Sequence, residues 1–76
     1  MRVYYFAGLK DISGTAEEQI EKNLGTVEEL LQWLHRKYPV LQDKSYMVAV
    51  NEQYASMDTC LQAEDVIALI PPVSGG

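Results

Sequence analysis

Val66-Ile67-Ala68-Leu69-Ile70-Pro71-Pro72-Val73-Ser74-Gly75-Gly76 closes the 76-residue sequence. Its first five residues are apolar without a break, and Val66, Ile67 and Ile70 are β-branched. A run this short reads as a strand rather than a helix. The missing alternation predicts a central strand covered on both faces. Pro71 and Pro72 end it, because neither can donate a hydrogen bond to a ladder. The polar stretch Gln62 to Asp65 before it is turn-like. The expected organisation is a domain over residues 1–70 with an extended tail over 71–76.

The tail is the most distinctive part of the sequence. Its two prolines project the backbone away from the sheet in an extended form at low entropic cost. After Val73 come a small hydroxyl residue, Ser74, and two residues without Cβ. A backbone that must enter a narrow tunnel needs so thin an end. The Gly76 carboxylate is sterically open, whereas the bland alternative is a frayed terminus. A carboxylate is a poor electrophile and carries sulfur only after activation to a mixed anhydride such as an acyl-adenylate. Sulfide can then displace the adenylate as AMP and leave a thiocarboxylate, and a persulfide does so once a thiol reduces the acyl disulfide it forms.

Upstream, Thr26 and Glu29 make a capping box. Glu28 and Glu29 sit in the first turn, where the helix dipole favours acid. Val27, Leu30, Leu31, Leu34 and Tyr38 recur at helical spacing. Arg36 and Lys37 close a helix of about three turns, Val27 to Lys37, that Pro39 stops. Arg2 to Ala7 is β-rich and reads as the first strand. Gly8 to Gly14 reads as a loop, and Ala16 to Lys22 as an edge strand, since charge suits a sheet edge. Tyr46 to Val50 is a strand, Asn51-Glu52 a turn, and Gln53 to Ala55 a short strand. One helix on one mixed sheet of about five strands makes an α+β two-layer domain. Placing the first and last strands side by side in the centre gives a β-grasp arrangement.

Composition excludes several functions. Six basic residues against eleven acidic ones give a formal net charge of −5. Such a surface repels phosphate backbones and anionic membranes and favours a basic protein partner. No long apolar window spans a bilayer, and no signal peptide is read at the N-terminus. With a single cysteine, Cys60, the expected location is cytoplasmic. No Cys/His cluster suggests a metal. Cys60 reads as a small buried hydrophobe, His35 as a surface helix residue, and Trp33 and the tyrosines as packing or interface residues. The pairs Glu17-Glu18, Glu28-Glu29 and Glu64-Asp65 read as solvated charges or caps, because sequence neighbours point in different directions. With no conventional active site in the residues, the reactive group is expected to be the chain's own end.

Four stretches together carry a resemblance: Val3-Tyr4-Tyr5-Phe6-Ala7-Gly8-Leu9, Thr26-Val27-Glu28-Glu29-Leu30, Val48-Ala49-Val50-Asn51, and above all Ala68 to Gly76 with its Pro-Pro-Val-Ser-Gly-Gly ending. The sequence resembles the MoaD-type sulfur carriers, small subunits of molybdopterin synthase with a ubiquitin-like β-grasp fold. One departure is Glu64, where the family usually has Gly. The resemblance implies that a ubiquitin-activating-like enzyme adenylates Gly76 with ATP, and that a sulfur donor protein then allows thiocarboxylation. It also implies that Pro71, Pro72, Val73, Ser74 and Gly75 insert into the large subunit, whose residues catalyse. There sulfur passes to cyclic pyranopterin monophosphate in two rounds, building the dithiolene of molybdopterin, within a heterotetramer. No cofactor is expected on the chain itself. Candidate contacts with the partner are Phe6, Leu61 and Leu69, alongside Val73. A thiamine-pathway sulfur carrier and a ubiquitin-like protein modifier share the diglycine and remain the alternatives.

Overall fold

The computed structural model describes residues 1–72. Along the chain run β1 (Arg2–Tyr5), α1 (Leu9–Ser13), β2 (Glu17–Gln19), α2 (Val27–Lys37), a 3-10 helix (Pro39–Asp43), β3 (Met47–Val50), β4 (Gln53–Tyr54) and β5 (Val66–Ile70). The strands form one sheet in the order β2-β1-β5-β3-β4. The central strand is β5. It runs parallel to β1, with Arg2 opposite Val66 and Tyr5 opposite Leu69. It runs antiparallel to β3, with Met47 opposite Ile70 and Val50 opposite Ile67. The ladders of β2 and β4 are antiparallel and close the two edges. This is the α+β, ubiquitin-like β-grasp fold expected from the order of the elements.

One helix covers one face of the sheet. Val3, Tyr5, Ile67 and Leu69 from the sheet join Val27, Leu30, Leu31 and Leu34 from α2 in a single buried cluster. The helix starts where the capping box places it. Thr26 Oγ1 accepts from the Glu29 N–H at 3.2 Å, and Glu29 Oε1 accepts from the Gly25 N–H at 3.1 Å. The N–H groups of Val27 and Glu28 donate to the carbonyls of Thr59 and Met57. The loop before β5 therefore satisfies the first orphan donors of α2. Pro39 biases Tyr38 away from helical geometry, and Tyr38 ends α2 at φ −128° and ψ 81°.

The structure corrects two expectations about these elements. The stretch Gly8 to Gly14 is not a loop throughout: its two glycines flank the helical turn α1. Gly14 caps it in the left-handed region at φ 79°, which suits a residue without Cβ. Leu9 is buried and Ile12 packs on the core, so an i, i+3 apolar pair drives the turn. The second correction concerns β5. Ile67 and Leu69 are buried, but Val66 is exposed and Ala68 and Ile70 are half-buried. Among the described residues, only one face of the central strand is covered.

Candidate functional site

The tail leaves the sheet from β5, and the register of β5 sets where it leaves. The Phe6 N–H donates to the Leu69 carbonyl at 3.2 Å, and Ile70 pairs with Met47. Pro71 follows at once and lines a small cleft of about 170 Å3 with Gly8, Leu9, Ile12, Lys44 and Ser45. The exit is thus walled by α1 on one side and by the approach to β3 on the other. Pro72 is exposed. Val73, Ser74, Gly75 and Gly76, where the sequence places the reactive end, lie outside the described residues.

Beside this exit lies the open face of the sheet. Tyr4, Phe6, Ala49, Glu52, Tyr54, Val66, Ala68 and Ile70 line a groove of about 560 Å3. Phe6 is 48% exposed there and Tyr54 71%. Isolated exposed apolar residues are ordinary, but a contiguous patch marks an interaction surface. Of the three residues expected at a partner interface, the structure places only Phe6 in this groove. Leu69 is wholly buried in the core and cannot present a side chain to a partner, because alternate residues of a strand point to opposite faces. Leu61 is half-buried and packs against the core. Tyr4 and Tyr54 fit the expectation that the tyrosines serve packing or an interface, whereas Ala49, Glu52, Val66, Ala68 and Ile70 were not expected there. The signal was available: an uninterrupted apolar strand needs two covers, and the chain holds one helix long enough to supply one.

Three other side chains also depart from expectation. Cys60 is exposed, not buried, since only the backbone of its segment is used, bridging to Thr26. His35 is half-buried rather than a free surface residue, and its Nε2 shares a hydrogen bond of 2.7 Å with the Tyr46 hydroxyl. This pair borders a hollow of about 640 Å3 between α2 and β3, where its polar groups satisfy each other. Glu18 is not a solvated charge. It faces inward from edge strand β2, with its side chain 13% exposed. Its carboxylate accepts from the hydroxyls of Tyr5 at 2.9 Å and Tyr38 at 2.8 Å, and from the Lys37 ammonium. Burial pushes the Glu18 carboxyl up, but the Lys37, Tyr38 and Tyr5 donors outweigh it and hold it below the ordinary range. Burial, then the Glu18 carboxylate, push the Tyr5 and Tyr38 hydroxyls above theirs. This network ties β2 to β1 and to the end of α2. It stands apart from the tail exit and serves the fold.

The ThiS family profile matches residues 3–76. The molybdopterin synthase sulfur carrier subunit of Mycobacterium tuberculosis is 38% identical over 80 residues, spanning 100% of this chain and 96% of the relative. A protein described as a molybdopterin converting factor, subunit 1, from Pyrococcus furiosus has a solved structure that superposes with a TM-score of 0.87. It is 29% identical, with 95% of each chain covered. A complex of subunits 1 and 2 of the molybdopterin-converting factor from Helicobacter pylori contains a chain that is 28% identical. Its TM-score is 0.71, and the match covers 99% of this chain and 96% of that one. Small archaeal modifier protein 1 of Haloferax volcanii matches at 27% identity and a TM-score of 0.82, over 99% of this chain and 97% of that one.

Proposed function

The chain belongs to the ThiS family, and on that premise we propose that it is the sulfur-carrier small subunit of a molybdopterin synthase. The observation that carries this reading is the tail: Pro-Pro-Val-Ser-Gly-Gly continues directly from the central strand. Full-length similarity to a molybdopterin synthase sulfur carrier supports it over a thiamine-pathway carrier.

In this reading the chain contributes an end and a docking surface, and is not an enzyme alone. An adenylating enzyme uses ATP to convert the Gly76 carboxylate to an acyl-adenylate. Sulfide-level sulfur from a donor protein, or its persulfide sulfur followed by reduction of the acyl disulfide by a thiol, displaces AMP, and the tail then carries a thiocarboxylate. Pro71 and Pro72 stiffen its base, and Val73 to Gly76 form the thin segment that enters the large subunit. There the sulfur passes to cyclic pyranopterin monophosphate. The catalytic side chains belong to the large subunit, and two rounds supply the two sulfurs of one dithiolene. The open sheet groove beside the tail exit is the surface on which the large subunit sits, in a heterotetramer with two copies of each. The Helicobacter pylori complex, which joins a similar subunit to its partner, supports pairing with a second subunit.

The test is a reconstitution. The chain bearing a Gly76 thiocarboxylate is mixed with a molybdopterin synthase large subunit and cyclic pyranopterin monophosphate, with the carboxylate form as control. Dithiolene product is expected from the thiocarboxylate alone. Deleting Gly76 should abolish transfer without unfolding the domain, and a deletion variant that still makes product sinks the mechanism. The likeness to an archaeal modifier protein favours one second reading, in which the same activated tail is joined to lysines of other proteins. Protein-linked adducts in lysate, with no dithiolene in the reconstitution, would be its signature.

A further inference from the structure

Glu52 is the one charged residue among the eight that line the open groove; the others are aromatic or aliphatic. Its side chain is exposed and, among the described residues, makes neither a hydrogen bond nor an ion pair. A lone carboxylate beside an apolar surface is costly to cover unless the covering surface brings a counter-charge.

The backbone under Glu52 sharpens the point. Asn51 and Glu52 form the two-residue turn between β3 and β4, with φ values of 51° and 70°. A turn with both central residues left-handed favours Asn-Gly. Asn51 fits, since asparagine tolerates this region. Glu52 occupies the place where glycine is unstrained and a Cβ is not. The turn is also pinned. The Asn51 N–H donates to the Val66 carbonyl at 2.7 Å, and Asn51 Oδ1 accepts from the Val66 N–H at 3.0 Å. Asn51 Nδ2 donates to Asp65 Oδ1 at 3.0 Å. The strained glutamate is therefore held at a fixed point, at the Val66 end of the groove. The tail leaves from the Ile70 end, roughly 13 Å away along a strand of this length.

We propose that Glu52 selects and orients the docking partner, which sets an arginine or lysine against it while taking the tail at the other end of the groove. The inference rests on the sulfur-carrier reading and adds a specificity residue to it. A second copy of this chain is the wrong occupant, because two chains of net charge −5 repel and a second Glu52 brings no counter-charge. Contact at both ends fixes which way round the partner sits, something an apolar groove alone does poorly.

The experiment measures calorimetric binding of the full chain to the large subunit of its own organism's molybdopterin synthase, at low and at physiological salt. Glu52→Gln keeps the shape and removes the charge. It should weaken binding by about tenfold at low salt and flatten the salt dependence. Glu52→Lys should weaken it by about a hundredfold. Glu52→Gly should raise the melting temperature while weakening binding, a pair of opposite signs that a purely structural residue does not give. If the unsubstituted chain binds and all three variants bind equally well with the same salt dependence, this inference fails while the functional reading stands. If the unsubstituted chain does not bind the large subunit, the functional reading fails and the inference goes with it.

Discussion

The two faces of β5 divide five apolar residues between them and are treated in opposite ways. Ile67 and Leu69 point under α2 and are 0% exposed, whereas Val66, on the other face with Ala68 and Ile70, is 41% exposed. On the covered face, each large side chain removed from water contributes on the order of 1.5–3 kcal/mol to folding. On the open face the same kind of side chain stays partly wet, and the proposed docking of the large subunit would bury it. One face holds the domain together, and the other is the surface proposed for a partner.

The sharpest way to break this contrast is to truncate the covered face. Leu69→Ala leaves a cavity under α2, where Val3, Leu30 and Leu34 of the same cluster are themselves fully buried. The expected loss is about 2–5 kcal/mol, most of what a domain of this size has to spare. Urea unfolding followed by circular dichroism reads it directly. A loss below about 1 kcal/mol would put Leu69 outside the class of well-packed core residues and erase the distinction between the faces.

A smaller effect is expected where the covered face meets its polar margin. Glu18 is the acceptor for Tyr5, Tyr38 and Lys37, so Glu18→Gln should cost about 1–3 kcal/mol. The pH dependence has a definite sign. The folded Glu18 carboxyl lies below its ordinary value of 4.5. Its stabilisation is complete above that ordinary value and is lost as pH falls through the lower folded one. The unsubstituted chain should therefore lose stability over that acid window more steeply than Glu18→Gln. Parallel curves of stability against pH would show that Glu18 does not act through its charge.

The same contrast explains how much could be read from the residues. The helix Val27–Lys37 was legible to the residue, because a capping box, a first-turn acid pair and a 3.6-residue period all agree. The strand Val66–Ile70 was legible as an element, but its run of apolar residues does not say what covers each face. Leu69 was therefore expected at a partner interface although it points into the core, and Ala68 on the open face was overlooked. Adjacent acids carry no mark of direction either, so the inward Glu18 looked like the outward Glu17. Gly8 and Gly14 pointed to a loop because glycine flanks a short helical turn as readily as it fills a loop. For the reactive end, residue chemistry did more than geometry, since the case for Gly75-Gly76 rests on prolines, thinness and an open carboxylate.

The smallest effect on folding is expected from the open face, and it sharpens the contrast most. Val66→Thr keeps the β-branched shape and exchanges a methyl for a hydroxyl. Both backbone groups of Val66 stay bonded to Asn51, so the register of β5 should not change. The side chain is already exposed, so the hydroxyl stays solvated, and unfolding should shift by no more than about 0.5 kcal/mol. Docking to the large subunit should still weaken, because the hydroxyl loses its water when the groove is covered. The two readouts separate the roles of the faces. A change in Leu69 acts on binding only through unfolding, whereas a change in Val66 acts on binding with the fold intact. If Val66→Thr destabilised the free chain by more than about 1 kcal/mol, a value outside the range for such surface changes, the open face would be part of the fold's own support and not a surface kept for a partner.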